Sequence, residues 1–383
     1  FQRRTHLKKR LYTPGPTRLP QEVMAALAQP MTHHRWPDCA ELTAEVRRGL
    51  HYAMQTENEI LIITSSGTGA MEATVANLHR AGDTVLAIKG GNFGDRWARI
   101  CQAFGLKVVS LEVEWGQAVD PQQVADHLKK NGDIAAVYAT LCETSTGVTH
   151  DLKALAEVVA PHAALLVVDA VSGLCVEELQ TDGWGVDVVT SATQKGLMCP
   201  PGISFASLSE AALERVSTST LPKFYSDFTT MRQFSEKNQT PYTPGITVLY
   251  GLRAALKLIR QEGLEKVLAR HARLAHVCRT AIGAMGLELF AERPANGLTA
   301  VRVPQGMDGI ELPRRIYQET GVMVAGGQAH LRGKIFRLAH MGYADELDVI
   351  VAISALERGL RAMGREIEIG AGLLAAQKEL FAK

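Results

Sequence analysis

The sequence predicts an open, mostly parallel α/β sheet of seven strands covered by helices, followed by a smaller C-terminal α+β domain. Three observations predict it. Seven short apolar runs alternate with helical stretches, at Ile60–Ile63, Thr84–Ile88, Lys107–Leu111, Ile134–Ala139, Ala164–Val168, Val186–Thr190 and Ile203–Ser207. Most of these runs are continuously apolar, as strands are when helices cover both faces of their sheet. Beyond Leu208 the pattern changes: a long helix over Val248–Gln261 ends near Gly263, and another follows to Met285. Short strands at Leu287–Phe290, Thr299–Val303 and Ile335–Ala339 and a helix over Ala344–Met363 complete it. A chain of 383 residues suits two such units. The expected division is an arm (1–20), a large domain (21–250) and a small domain (251–383).

Taken in order, the chain opens with a basic arm, Arg3-Arg4 and Lys8-Lys9-Arg10, expected to be solvated. Leu11–Thr17 (LYTPGPT) is too rich in Pro and Gly for a helix or a central strand and reads as an extended segment. Pro20–Gln29 is helical in pattern, His33–Pro37 is an irregular ring-rich loop, and Glu41–Met54 resumes a helical period. The two loop histidines lack further ligands at useful spacing, so no metal site is expected. Ala211–Thr240 is mixed and polar, and Thr240–Gly245 (TPYTPG) is a turn-rich loop.

Composition narrows the function. Hydrophobic residues make up 46% and charged residues 21%, so a large core can form and disorder is not expected. A net charge of +1 removes any broad electrostatic case for nucleic acid or an anionic membrane. Six scattered cysteines without a CxxC pair read as reduced thiols. No apolar run has the length of a membrane span, Ala163–Val168 being interrupted by Asp169, and no leader-like segment stands out. A cytoplasmic setting is expected.

Ligands of open α/β sheets bind beyond the carboxyl ends of the strands, and the unusual polar residues fall there. Ser65–Gly69 follows the first strand, Gly91–Gly94 the second and Glu143–Gly147 the fourth; Asp169 ends the fifth, and Lys195 follows the sixth. Lys195 sits between an apolar strand and the rigid Pro200-Pro201-Gly202 turn. A desolvated amine there can form a Schiff base with an aldehyde, which points to pyridoxal phosphate. Ser66-Gly67-Thr68 is either a phosphate cradle at a helix start or a plain helix cap. The dinucleotide fingerprint fails, because Gly67-Thr68-Gly69 is followed by Ala70, Met71 and Glu72; a Walker lysine is also missing. Asp169, in AALLVVDAV, meets either a protonated pyridine nitrogen or a local loop donor. Phe93 and Val171 suit the two faces of a planar ring, and core packing explains them equally. Arg337, in KIFRLAH, takes either an α-carboxylate or an internal Asp/Glu partner.

The stretches YTPGPT, TSSGTGAMEA, GNFGDRW, ETSTGV, LLVVDAV, SATQKGLMCPPG, TPYTPGITVLYGLR and GKIFRLAHMG together resemble the class V aminotransferases of the fold-type I pyridoxal-phosphate group. Similarity is greatest to the alanine–glyoxylate and serine–glyoxylate enzymes. The resemblance implies that Lys195 carries the cofactor and that Asp169 pairs with the pyridine nitrogen. Phe93 stacks on the ring, and Ser66, Gly67, Thr68 and Gln194 meet the phosphate, joined across a dimer interface by Tyr242 or Thr243. Thr144 lies near cofactor and substrate, Val171 lies against the ring, and Arg337 holds the substrate carboxylate. His34 and Arg35 match a loop that reaches the partner subunit's substrate pocket in relatives. Three positions depart from the family pattern: Thr193 stands for the common serine, Gly196 for alanine and Cys199 for an apolar residue.

The implied reaction moves an amino group from serine or alanine to glyoxylate, with Lys195 passing the α-proton, in a homodimer with shared sites. Rivals are a cysteine desulfurase or related lyase, a ureido- or phosphonate-amino donor, a nucleotide-binding oxidoreductase or a subunit of one, and a catalytically silent scaffold. A desulfurase needs a thiol on a flexible loop. Cys278 in a helical pattern and Cys199 before two prolines do not suit that role.

Overall fold

The computed structural model describes residues 7–382; Arg3 and Arg4 of the basic arm lie outside them. The central sheet has seven strands: β1 (Glu59–Ile63), β2 (Thr84–Lys89), β3 (Lys107–Glu112), β4 (Ile134–Thr140), β5 (Leu165–Asp169), β6 (Val188–Ala192) and β7 (Ser204–Leu208). Each lies within two residues of its sequence expectation. Their spatial order is β1-β7-β6-β5-β4-β2-β3, and only β7 runs against its neighbours. Every residue of β4, β5, β6 and β7 is buried, which accounts for the largely apolar runs of β4 and β5. The sheet edge β3 is mostly uncovered and carries Lys107, Ser110 and Glu112, side chains that discourage pairing with another strand.

Two helices bring polar termini to the carboxyl ends of the parallel strands: α1 (Gly67–Leu78) after β1 and α2 (Asn92–Ala103) after β2. Beyond β7, α3 (Ile246–Glu262) leads into α4 (Leu264–Ala284), and a second apolar core gathers Leu274, Cys278, Ile282, Ile316, Phe336 and Ile353. There β8 (Leu298–Arg302), β9 (Ala325–Gly326) and β10 (Ile335–Ala339) form an antiparallel sheet in the order β8-β10-β9; α4 packs on β8, and α5 (Glu346–Ala362) and α6 (Ala371–Phe381) pack against α4. The N-terminal segment joins this region, Arg10–Leu11 pairing in parallel with Val322–Met323. Tyr12 accepts from the Ala339 N–H at 2.8 Å, and Arg18 forms an ion pair with Asp348.

Two expectations need correction. Leu287–Phe290 forms only an isolated bridge, Leu289 to Val301. Past Phe290 the chain turns away, the Glu292 N–H donating to Gly116 at 2.7 Å, so the ladder stops. The sequence pattern also stopped at Met363, whereas α6 follows Gly370 in the left-handed region (φ 85°). The α6 start is held by Glu357, a buried side chain on α5 that accepts from the N–H groups of Gly370, Gly372 and Leu373. Among the described residues, no helix is long and apolar enough to cross a membrane.

Candidate active site

Lys195 leaves β6 in a tight loop that fixes its backbone. The Met198 N–H donates to the Lys195 carbonyl at 3.0 Å, and the Thr193 hydroxyl donates to the Pro200 carbonyl. Gly196 fits there because a Cβ would run into the backbone carbonyl of Leu174 and lie 2.8 Å from Val176 Cγ2. The side chain is only 8% exposed, and burial pulls its amine down to about 8. Above it runs the YTPGPT segment. The amine donates to the Pro14 carbonyl, and Thr17 Oγ1 donates to the Lys195 carbonyl at 2.9 Å. Gly15 has φ 106°, and a Cβ added to it would lie 2.7 Å from Nζ. The segment therefore works as a roof that only glycine allows over this lysine.

Asp169 ends β5, two places along the sheet from β7 and beside β6. Its Oδ1 accepts the Val171 N–H at 2.8 Å, so the local loop donor exists, and no other protein group among the described residues donates to the carboxylate. Burial pushes this acid up to about 6, against the lowering pull of Val171, Arg96 and Lys195. A buried carboxylate with spare acceptor capacity suits a cationic ring nitrogen.

At the start of α1, Ser66 holds the cap position, but its side chain makes no capping bond. The first N–H groups of the helix thus have no side-chain acceptor, the condition under which a helix start takes an anion. Gly67 packs close to Val171, where a Cβ would lie 2.7 Å from Cγ2. On the Lys195 loop, Gln194 Oε1 is buried with no donor to it among the described residues; only the amide NH2 group of this side chain could donate to an anion. Thr68 Oγ1 accepts from Arg96 Nη1 at 2.9 Å, and the Arg96 guanidinium carbon stands 4.6 Å from the centre of the Phe93 ring.

Glu143 organises the neighbouring loops. This buried carboxylate accepts the N–H groups of Phe93 and Gly94 at 3.0 Å each, and the Ser145 hydroxyl at 2.5 Å. It caps α2 from another loop and so sets the height of the Phe93 ring. Thr144 next to it shares a hydroxyl contact of 2.5 Å with Ser172, and its carbonyl accepts from Arg337 Nη1 at 2.8 Å.

Arg337 occupies the middle strand, β10, opposite Ala300 on β8 and Ala325 on β9. Two alanines leave lateral room for a guanidinium. The group is 4% exposed and bound only to carbonyls, Gly326 (2.8 and 3.1 Å) and Thr144. The internal Asp/Glu partner foreseen as an alternative is absent among the described residues. Burial lowers this guanidinium to about 10, opposed by the charge of Glu143.

Four of the expected site residues stand apart from this chamber within the single chain. Arg35 donates to the carbonyls of Thr240 and Pro241 at 2.6 Å each and to Gln239 Oε1 at 3.1 Å. His34 packs on His33 with ring centres 4.5 Å apart. Tyr242 stacks on Tyr225 at 5.1 Å, and Thr243 is exposed. Residues missed from the sequence are Arg96, Glu143 as a cap, Ser172 and the Gly15 roof. The Gly67–Glu72 and Gly91–Trp97 stretches carry the relevant residue types, but no sequence spacing joins Arg96 to Thr68. A cleft of about 1290 Å³ lined by His51, Asp182 and Arg260 includes none of Lys195, Asp169 and Arg337.

A buried amine lowered toward neutrality, a buried acid short of donors, an uncapped helix start and an arginine free of acidic partners among the described residues together suit an anionic aldehyde cofactor held on an amine. The residues fit pyridoxal phosphate on those four grounds. Comparison with known proteins agrees. Residues 10–342 match the model of the aminotransferase class-V family. The chain is 40% identical to the soluble hydrogenase small subunit of Synechococcus sp. (strain PCC 6716), over 97% of this chain and 98% of that one. It is 36% identical to a serine–glyoxylate aminotransferase of Hyphomicrobium methylovorum, over 97% and 94% of the two chains. The solved structure of ureidoglycine–glyoxylate aminotransferase from Bacillus subtilis superposes with a TM-score of 0.93 at 29% identity, covering 100% of both chains. The chain belongs to the class V aminotransferase family and is a pyridoxal-phosphate-dependent transaminase acting on small molecules.

Proposed function

We propose that this enzyme moves the amino group of serine or alanine to glyoxylate, giving glycine and a 2-oxo acid. The observation that carries the reading is Arg337, a buried guanidinium with no carboxylate partner among the described residues, near enough to Lys195 for its charge to lower that amine. One fork of donors suits one small carboxylate, as glyoxylate, serine and alanine each present. Two of the relatives above are named for glyoxylate, with serine and ureidoglycine as their respective donors.

Bound pyridoxal phosphate supplies an aldehyde and an electron-withdrawing ring that takes up the electron pair left when the substrate's Cα–H bond breaks. The chain's residues do the rest. Lys195 would hold the cofactor and, displaced by the incoming amine, would with a pKa of about 8 take the Cα proton and deliver it to the cofactor rather than back to Cα. Asp169 keeps its negative charge against the ring nitrogen. Phe93 and Val171 confine the ring, while Ser66, Gly67, Thr68 and Gln194 receive the phosphate. Arg337 orients the substrate carboxylate so that the Cα–H bond faces Lys195, with Thr144 bracing the guanidinium through its carbonyl. The Pro14–Pro16 roof keeps water from the amine.

The site is completed by a second copy of the chain. Tyr242 and Thr243, projecting on the loop that Arg35 clasps, reach the partner's phosphate, and His34 reaches its substrate pocket. The exposed Phe224, Tyr225 and Trp36 beside them supply apolar contact area. An arm (1–20), a large domain (21–250) and a small domain (251–383) divide the protomer, and six buried free cysteines accord with a reducing, cytoplasmic setting. Burial raises Cys278 to about 11 and Cys199 to about 12, which disfavours a desulfurase.

The test is a single-turnover screen of the loaded enzyme with serine, alanine, ureidoglycine, an aminophosphonate and cysteine, followed by glyoxylate, pyruvate or 2-oxoglutarate. Serine or alanine should convert the bound cofactor fastest, and glyoxylate should restore it fastest. Sulfide release from cysteine, or restoration only by a dicarboxylic oxo acid, would overturn the reading.

A further inference from the structure

The chamber around Lys195 holds more positive than negative groups. Lys195, Arg96 and Arg337 face Asp169 and Glu143, and burial raises both of these acids. Arg337 has a use in the substrate carboxylate. Arg96 has none in the reading above, and it joins no ion pair among the described residues. Its position is nevertheless defined at two points. Nη1 donates to Thr68 Oγ1 at 2.9 Å, at the start of α1, and the guanidinium carbon lies 4.6 Å from the Phe93 ring centre. Phe93 and Arg96 are three residues apart on α2, so they share a face of that helix. The stack on Phe93 restricts the guanidinium, while among the described residues its remaining N–H groups meet no acceptor. Next to Thr68 are the uncapped first N–H groups of α1.

We propose that Arg96 supplies a charged contact to the cofactor's phosphate, aimed by Phe93 at the helix start beside Thr68. This rests on the reading that the phosphate lies at Gly67–Thr68. It assigns the chamber's two arginines to two different anions, Arg96 to the cofactor and Arg337 to the substrate. It also gives Phe93 a second task, since the ring that flanks the cofactor also steers the group that anchors it.

The experiment titrates full-length protein, freed of cofactor, with pyridoxal phosphate and, separately, with pyridoxal, which lacks the phosphate. Arg96→Gln should weaken pyridoxal phosphate binding about 10- to 100-fold, the usual worth of a charge-assisted hydrogen bond. Pyridoxal affinity should stay at the wild-type value. Arg96→Lys, which keeps the charge and loses the fork, should fall between. Equal loss for both ligands would place Arg96's effect on the ring or the amine and overturn the proposal, as would no loss for either. Should Arg96→Gln not fold, phenylglyoxal labelling of the wild type decides. Arg96, read by peptide mass spectrometry, should be protected by inorganic phosphate and by pyridoxal phosphate but not by pyridoxal. Labelling indifferent to phosphate would overturn it. A wild type that takes up no pyridoxal phosphate at all would instead defeat the underlying cofactor reading, an outcome distinct from a defect confined to the variants.

Discussion

Asp169→Asn should stabilise the cofactor-free protein while crippling the loaded one. The structure sets the magnitude. Burial lifts the Asp169 carboxyl from 3.8 to about 6. An acid whose folded pKa exceeds its unfolded value makes the native state bind more protons between the two values. Its contribution to stability is therefore fully present below pH 3.8 and is lost as pH rises through about 6. Two pKa units correspond to about 3 kcal/mol of penalty on the ionised, buried form. Asparagine keeps an oxygen for the Val171 N–H and carries no charge, so that penalty disappears. Urea unfolding of cofactor-free protein should show Asp169→Asn more stable than wild type by about 3 kcal/mol at pH 8, the gap narrowing to under about 1 kcal/mol at pH 4. Loaded with pyridoxal phosphate, the order should reverse, because the carboxylate then has a cation to face. Turnover should fall about 100-fold or more, as when a charge-stabilising group is removed from a preorganised site. A pH-independent gap, or a cofactor-free wild type that is the more stable at pH 8, would refute the claim that Asp169 is held ionised at a cost until the ring arrives.

Two further outcomes follow from the same geometry. Gly15→Ala places a Cβ 2.7 Å from Lys195 Nζ in a backbone conformation of φ 106°. It should cost about 1–3 kcal/mol in stability and slow cofactor uptake, readable as a lower rate of appearance of the lysine-bound chromophore. Arg337→Gln should lower kcat/KM for both amino donor and oxo acid by about 10- to 100-fold, with pyridoxal phosphate affinity unchanged; steady-state kinetics beside a cofactor titration separate the two.

Much of this site was legible because a parallel sheet sends all its carboxyl ends to one edge. Once continuous apolar runs identify the strands, Ser66, Phe93, Thr144, Asp169 and Lys195 must converge, however far apart they lie in sequence. Arg337 was legible for another reason, since a charge inside a short apolar strand needs a partner. The rest was hidden where the partner comes from elsewhere in the fold. Glu143 caps α2 and Glu357 caps α6 across loops and helices, so neither helix start carries its own signal. Arg96 reads as a solvated helix residue until Thr68 is brought 2.9 Å away. Gly15 reads as a turn residue until Lys195 is found beneath it. Arg35 has the sharpest double reading: the sequence suggests it by resemblance to a loop that reaches the partner subunit in relatives, while its hold on the Thr240 and Pro241 carbonyls is visible only in the fold.

The central claim is that one amine, on Lys195, bears the cofactor. Borohydride treatment of the loaded protein fixes the pyridoxyl group on whichever amine holds it, and proteolysis with mass spectrometry locates that amine. The account predicts one tag per chain, on the peptide containing Thr193-Gln194-Lys195-Gly196, and none after Lys195→Ala. A tag on a different lysine, or an undiminished tag in the alanine variant, would contradict it.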